Sequence, residues 1–119
     1  MVEAMKLGAL LGKVWRKDPQ ATPAEDMFKA ATLNGSTIMN IKAGKIEPGY
    51  LADLCLVDLK QTAFTPNFNF ISNLVYAANG SCADTVICDG KVIMENRYVA
   101  GEEEILKRAG ATAYDLIKR

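Results

Sequence analysis

The spacing of apolar residues changes character along the chain, from a helical period to a strand period and back. Over Val2–Lys17, Ala4, Leu7, Leu11 and Val14 recur at intervals of three and four, with Leu10 and Trp15 widening the stripe; this is the pattern of an amphipathic helix. Gly8 and Gly12 lie four apart on one face. Each costs about 1 kcal/mol against alanine inside a helix, so the pair reads as a place where a neighbour comes close. Asp18-Pro19 stops the helix, because the residue before proline is pushed out of the helical region. Thr22-Pro23-Ala24-Glu25 predicts the next start, with Thr22 as cap, Pro23 at the first helical position and Glu25 completing a capping box. That helix covers Pro23–Leu33, turns Met27, Ala30 and Ala31 inward with Phe28 beside them, and ends at Asn34-Gly35. Ser36 caps a short helix over Thr37–Asn40.

The strand period begins after Glu47-Pro48-Gly49, whose Pro48 and Gly49 suit the two central positions of a type II turn. Asp53–Leu59 has Leu54 and Leu56 on one face and Cys55, Val57 and Leu59 on the other, which predicts a strand covered on both sides. Gln61–Phe70 reads as a loop. Ser72–Ala78 reads as a short helix capped by Ser72 and ended by Asn79-Gly80. Thr85–Cys88 and Lys91–Glu95 are strands joined by Asp89-Gly90, a strong two-residue hairpin signal. Asn96-Arg97 turns the chain again, and Tyr98–Ala100 pairs briefly. Glu102–Arg119 is the last helix, with Ile105, Leu106, Ala109, Ala113, Leu116 and Ile117 as its apolar stripe; three glutamates open it and Lys118-Arg119 close it, both favourable to its dipole. These elements have no internal repeat, and they leave apolar faces without cover. The chain is therefore expected either to self-associate or to belong to something larger.

Composition narrows the chemistry. The chain has 119 residues, enough for one domain, and 50% of them are hydrophobic. Lysine plus arginine equals aspartate plus glutamate at 14 each, which argues against a nucleic-acid or anionic-membrane surface. No apolar stretch reaches the roughly 20 residues that span a bilayer, and the first segment, with Glu3 and no basic start, does not read as a signal peptide. Cys55, Cys82 and Cys88 include no C-x-x-C pair, so they are expected as reduced, mostly buried thiols of a cytoplasmic protein. There is no histidine, which removes the usual general base and the commonest metal ligand. The carboxylates Asp53, Asp58 and Asp84 read as turn-capping or solvated groups. Phe64, Phe68, Phe70 and Tyr76 are expected in the core, with a small-ligand cleft as the other reading.

Several runs occur together in a telling order: Ala31-Thr32 with Asn34-Gly35; Gly44, Ile46, Gly49 and Ala52-Asp53-Leu54; Pro66 with Asn69; Ser72-Asn73-Leu74-Val75-Tyr76-Ala77; and Asp84 to Val92. In these the chain resembles the C-terminal end of metal-dependent amidohydrolases, in the chlorohydrolase and aminohydrolase branch that includes methylthioadenosine/S-adenosylhomocysteine deaminases. The resemblance covers nearly the whole chain. It implies an α+β arrangement. Residues 1–43 would be helices closing a (β/α)8 barrel, 44–100 the C-terminal part of a small composite β-sandwich, and 101–119 a C-terminal helix packing back on the body.

The resemblance implies hydrolysis of C–N (non-peptide) or C–halogen bonds of ring substrates by the intact enzyme, with a divalent metal, zinc or iron. The family's histidine ligands have no counterpart here, and Met1 falls just downstream of where its aspartate ligand is expected. Gly49 and Asp53 are implied to be architectural. No catalytic, cofactor-binding or metal-ligating residue is assigned to this chain. Its implied partner is the missing N-terminal barrel portion or a second copy. The alternative is a free-standing structural or oligomerisation module without catalytic activity.

Overall fold

A computed structural model describes residues 1–118. Three helices lead the chain: α1 (Val2–Arg16), α2 (Ala24–Ala31) and α3 (Leu33–Met39). A connecting segment then enters β1 (Leu54–Val57). A 3₁₀ turn (Thr62–Phe64) and a short helix follow, α4 (Phe70–Ser72), which widens into a π-turn over Asn73–Ala77. A second 3₁₀ turn (Gly80–Cys82) leads to the hairpin β2 (Ala83–Cys88) and β3 (Lys91–Met94), and α5 (Glu102–Ile117) closes the chain. The three strands form one antiparallel sheet in the order β1-β2-β3. The α+β class implied by the resemblance is therefore observed.

The core is mainly helical. Met5 and Ala9 of α1, Ala24 of α2, Phe64, Leu74, Val75, Ala78 and Cys82 are buried together. The Phe64 ring stacks on Phe70 with centroids 5.8 Å apart. Val57 is the β1 side chain packed against this cluster, so the sheet joins the helical body at one end of β1.

The glycine pair of α1 does what its spacing predicts. A Cβ on Gly12 would sit 2.3 Å from the Thr22 hydroxyl oxygen, and one on Gly8 would sit 3.0 Å from the Met27 sulfur. Close approach through small residues lets the Thr22 hydroxyl donate to the Ala9 carbonyl at 3.0 Å. Lys13 Nζ donates to the carbonyls of Pro19 and Ala21 at 2.9 and 2.8 Å, holding the α1–α2 connection against the helix.

This packing leaves the apolar stripe of α1 uncovered within the chain. Ala4, Leu7, Leu11 and Val14 are exposed, as are Leu10 and Trp15, the last at 88%. The small-residue face with Met5 and Ala9 is buried instead. Thr22 is not a cap either: its φ is +47°, its hydroxyl is committed to α1, and Pro23 holds the capping position with no side-chain bond. Of the expected inner residues of α2, Met27 and Ala31 are half-buried and Ala30 is exposed. The break after α2 falls at Thr32, where φ and ψ are −124° and −78°, and Asn34-Gly35 lies inside α3 rather than ending α2. Ser36 donates to the Leu33 carbonyl at 2.7 Å instead of capping.

The turn and hairpin chemistry is observed as expected. The Tyr50 amide donates to the Glu47 carbonyl at 3.1 Å with Gly49 at φ +84°, a type II turn. Asp89 and Gly90 both have positive φ, at +49° and +75°, and Cys88 faces Lys91 across the hairpin, as a type I′ turn requires. Asn96 and Arg97 repeat this with φ of +50° and +63°, and Glu95 bridges Tyr98.

Three further expectations are corrected. The first strand is shorter than Asp53–Leu59, because a bulge between Leu56 and Val57 ends regular pairing. Its two faces are not both covered within this chain, since Cys55 and Leu56 are exposed. The α4 cap is Asn69, whose side chain accepts from the Ser72 amide at 2.9 Å, so the helix starts before Ser72 and shortens the expected loop. The last helix buries none of its described residues within this chain; Arg119, its expected end, lies outside the described residues.

Candidate functional site

Each weighed carboxylate accepts a hydrogen bond. Asp53 accepts the Asp89 amide at 2.7 Å, bracing the hairpin turn against the start of β1. Asp84 accepts the Thr85 hydroxyl at 3.0 Å. Asp58 accepts the Lys60 amide at 3.0 Å and pairs with Arg97 at 2.6 Å. Arg97 also donates from Nε to the Ser81 carbonyl at 3.1 Å and from its backbone amide to the Asp84 carbonyl at 2.8 Å. Arg97 thus ties the end of β1, the 3₁₀ turn and β2 into one corner. Sequence reading placed it in a turn and missed this role; so did it for Lys13. In both cases the partners are backbone carbonyls or distant residues, which local pattern does not display.

The Lys60 amide, and then the Arg97 guanidinium, hold the Asp58 carboxyl below the usual carboxylate range, outweighing its partial desolvation. A depressed folded-state pKa adds stability that is complete above the unfolded-state value and is lost as pH falls through the folded one. Wild-type chain therefore loses stability below about pH 4 more steeply than Asp58→Asn, as read from urea midpoints at successive pH values. Equal slopes would remove the clamp from the account.

All three cysteines are free, and only Cys82 is buried, which corrects the expectation of mostly buried thiols. Burial raises the Cys82 thiol, with neighbouring Cys55 adding to the effect. Desolvation raises Cys55 as well, although that residue is exposed overall. A disulfide exchange reagent modifies Cys55 and Cys88 in native buffer, and Cys82 only when denaturant is added. Three equally fast thiols in native buffer would contradict the buried position of Cys82.

The aromatic group does not form a cleft. Phe64 is 2% exposed and Phe70 stacks on it, whereas Phe68 is 94% exposed. An open depression of about 470 Å³ lies between the end of α3 and the Glu47–Tyr50 turn, with Ser36, Thr37, Asn40, Lys42, Lys45 and Tyr50 on its walls. The Ser36 and Thr37 hydroxyls both donate to the Leu33 carbonyl, and Lys45 sits 5.7 Å from the Tyr50 ring centroid. No group of three or more His, Cys, Asp or Glu among the described residues could hold a metal ion. No helix among them is long and apolar enough to cross a membrane.

What remains prominent is surface. The accessible area is 9131 Å², against about 6300 Å² for a compact monomer of this mass. The radius of gyration is 17.8 Å, against about 13.5 Å for a compact domain of this length. Much of the excess is apolar: the outer faces of α1 and α5, and Val92 and Ile93 on β3.

A profile of the amidohydrolase family matches residues 1–93. The chain is 48% identical over 107 residues to the 5-methylthioadenosine/S-adenosylhomocysteine deaminase 1 of Archaeoglobus fulgidus, covering 90% of this chain and 25% of that protein. It is 40% identical over 119 residues to the 5'-deoxyadenosine deaminase of Methanoregula boonei, covering 100% of this chain and 27% of that one. Among solved structures it superposes with a TM-score of 0.86 on a zinc-bound adenosine deaminase from Xanthomonas campestris, at 29% identity over 97% of this chain and 27% of the other. A zinc-complexed atrazine chlorohydrolase from Arthrobacter aurescens has the same fold over this region, with a TM-score of 0.82 at 21% identity, covering 93% of this chain and 26% of that one. The chain therefore spans about a quarter of the length of the relatives it matches. Matched by the family profile over most of its residues, it belongs to the amidohydrolase family.

Proposed function

We propose that this chain is the C-terminal scaffold portion of an amidohydrolase-type enzyme that hydrolyses C–N (non-peptide) or C–halogen bonds of ring substrates, and that deamination of an adenosine-type nucleoside is the reaction it serves. The names of the relatives support that substrate class. The observation that carries the scaffold reading is the open apolar face of α1, in a chain whose accessible area is 9131 Å². An excess of some thousands of Å² belongs to the range of an obligate interface. In this reading residues 1–43 close a barrel supplied by the rest of the enzyme, 44–100 complete a composite sandwich, and 101–119 form a peripheral helix.

The relatives' structures contain zinc. The residues present here do not fit such an ion: the sequence has no histidine, and no ligand cluster exists among the described residues. The divalent metal, zinc or iron, then belongs to the barrel portion, and this chain takes no part in the bond-breaking steps. It buttresses the barrel.

The test is complementation. The chain is mixed or co-expressed with the complementary N-terminal three-quarters of the Archaeoglobus fulgidus relative, and ammonia release from 5-methylthioadenosine is measured with zinc present. Neither piece alone turns over substrate, and together they form a complex that does. Zinc bound at one ion per chain with deaminase turnover by the 119-residue chain alone would refute the proposal.

A further inference from the structure

We infer that Asn79-Gly80 is a self-modification site, at which the Gly80 amide nitrogen attacks the Asn79 side-chain carbonyl and Ser81 stabilises the oxyanion that forms. The tripeptide Asn-Gly-Ser occurs twice in the chain, as Asn34-Gly35-Ser36 and as Asn79-Gly80-Ser81. In both, glycine leaves the attacking nitrogen unshielded, because no Cβ stands beside it. Both asparagines are exposed, so solvent access does not separate them. Backbone does. Asn34 and Gly35 lie inside α3, and closing a ring there would pull Asn34 out of helical ψ and unwind the start of the helix. Asn79 is extended, with φ −134° and ψ −175°, and stands between the π-turn and the second 3₁₀ turn. Rotation about its ψ disturbs one turn bond, from the Cys82 amide to the Asn79 carbonyl at 3.2 Å. The Gly80 amide makes no hydrogen bond among the described residues.

The two serines are used differently. Ser36 donates its hydroxyl to the Leu33 carbonyl at 2.7 Å. Ser81 turns both its donors on the Asn79 side-chain oxygen, the amide at 2.9 Å and the hydroxyl at 2.6 Å. Two donors on a carbonyl oxygen draw electrons from its carbon, and they are already in place for the negative charge that attack puts on that oxygen. Ser81 is itself held from the far side: Gln61 Nε2 and Arg97 Nε donate to its carbonyl at 2.8 and 3.1 Å. The reaction balances with water as its co-reactant. The Gly80 nitrogen forms a bond to Asn79 Cγ and gives up its proton; the Cγ–Nδ2 bond breaks, and the nitrogen leaves as ammonia. Water then opens the cyclic imide at either carbonyl, leaving aspartate or isoaspartate at position 79. Nothing is oxidised or reduced, and a chain of zero net charge gains a negative one.

The inference concerns a peptide bond of this chain alone and stands apart from the hydrolase reading. The full chain is aged in mildly alkaline buffer, and peptide mapping by mass spectrometry follows conversion at both asparagines. Position 79 converts at least about tenfold faster than position 34, to a mixture of aspartate and isoaspartate. In urea the two rates approach each other, because the same tripeptide then has the same freedom. Gly80→Ala slows conversion at least about tenfold; a Cβ there meets nothing within 4 Å, so the fold accepts it. Ser81→Ala slows conversion about three- to tenfold, and Ser81→Thr, which keeps both donors, restores it. Circular dichroism confirms that each variant is folded. Conversion at position 34 as fast as at position 79 in native buffer overturns the inference, a comparison that needs no substitution. So does a folded Ser81→Ala chain that converts at the wild-type rate or faster.

Discussion

Phe64→Ala lowers the unfolding free energy of this chain by about 3–5 kcal/mol and leaves it largely unfolded at room temperature. Phe64 is one of the largest fully buried side chains, at 2% exposure. Its ring stacks on Phe70, and it shares the cluster with Met5, Ala9, Leu74 and Val75. It therefore ties its 3₁₀ turn to α4 and to the π-turn that follows. Removing it leaves a cavity that helices fixed by other contacts cannot fully close. A domain of this length ordinarily has about 5–15 kcal/mol of stability, and one with so much exposed apolar surface sits at the low end. The loss is read as the urea midpoint followed by far-ultraviolet circular dichroism. Trp15 fluorescence is a poor reporter, because that side chain is 88% exposed already. Phe68→Ala is the control: at 94% exposure it changes stability by less than about 0.5 kcal/mol. Equal effects at the two positions would contradict the described core.

Gly44→Ala costs about 2–4 kcal/mol, while Gly49→Ala costs about 1 kcal/mol. Both glycines lie in one motif and both have positive φ, +76° and +84°, so the conformational penalty is shared. The surroundings differ. A Cβ on Gly44 would stand 2.6 Å from the Thr32 carbonyl oxygen and 2.9 Å from its carbon, both backbone atoms. Nothing lies within 4 Å of a Cβ on Gly49. The Gly44 substitution therefore has to move the junction between α2 and α3, where Thr32 already departs from helical geometry. Urea titration of both variants decides it, and a Gly44→Ala no worse than Gly49→Ala would remove the close approach from the account.

The reach of the sequence is plain at particular residues. Asp89-Gly90 declared its hairpin and Pro48-Gly49 its type II turn, because a turn of two residues is decided by the φ values those residues tolerate. Gly8 and Gly12 announced a close neighbour. Thr22 misled: it stands in a good capping pattern, yet its hydroxyl goes to Ala9 of another helix. A carbonyl thirteen residues away competes with the local amide, and the sequence does not show which is nearer. Of the candidate site, the sequence displayed residue types and not their partners. A chain without histidine lacks the usual general base and the commonest metal ligand, but the roles of Asp58 and Arg97 as one corner needed coordinates.

The sequence by itself determined the periods, the turns, the charge balance and the family motifs, all of which depend on neighbours a few residues apart. Only the tertiary structure decided which side of α1 is buried. Hydrophobicity favoured Leu7, Leu11 and Val14; the structure buries Met5 and Ala9, because backbone can approach only where side chains are small. The larger apolar face is left outward, and so is the whole of α5. Periodicity states that a helix has a side to bury, while geometry states how much of that burial this chain can supply for itself.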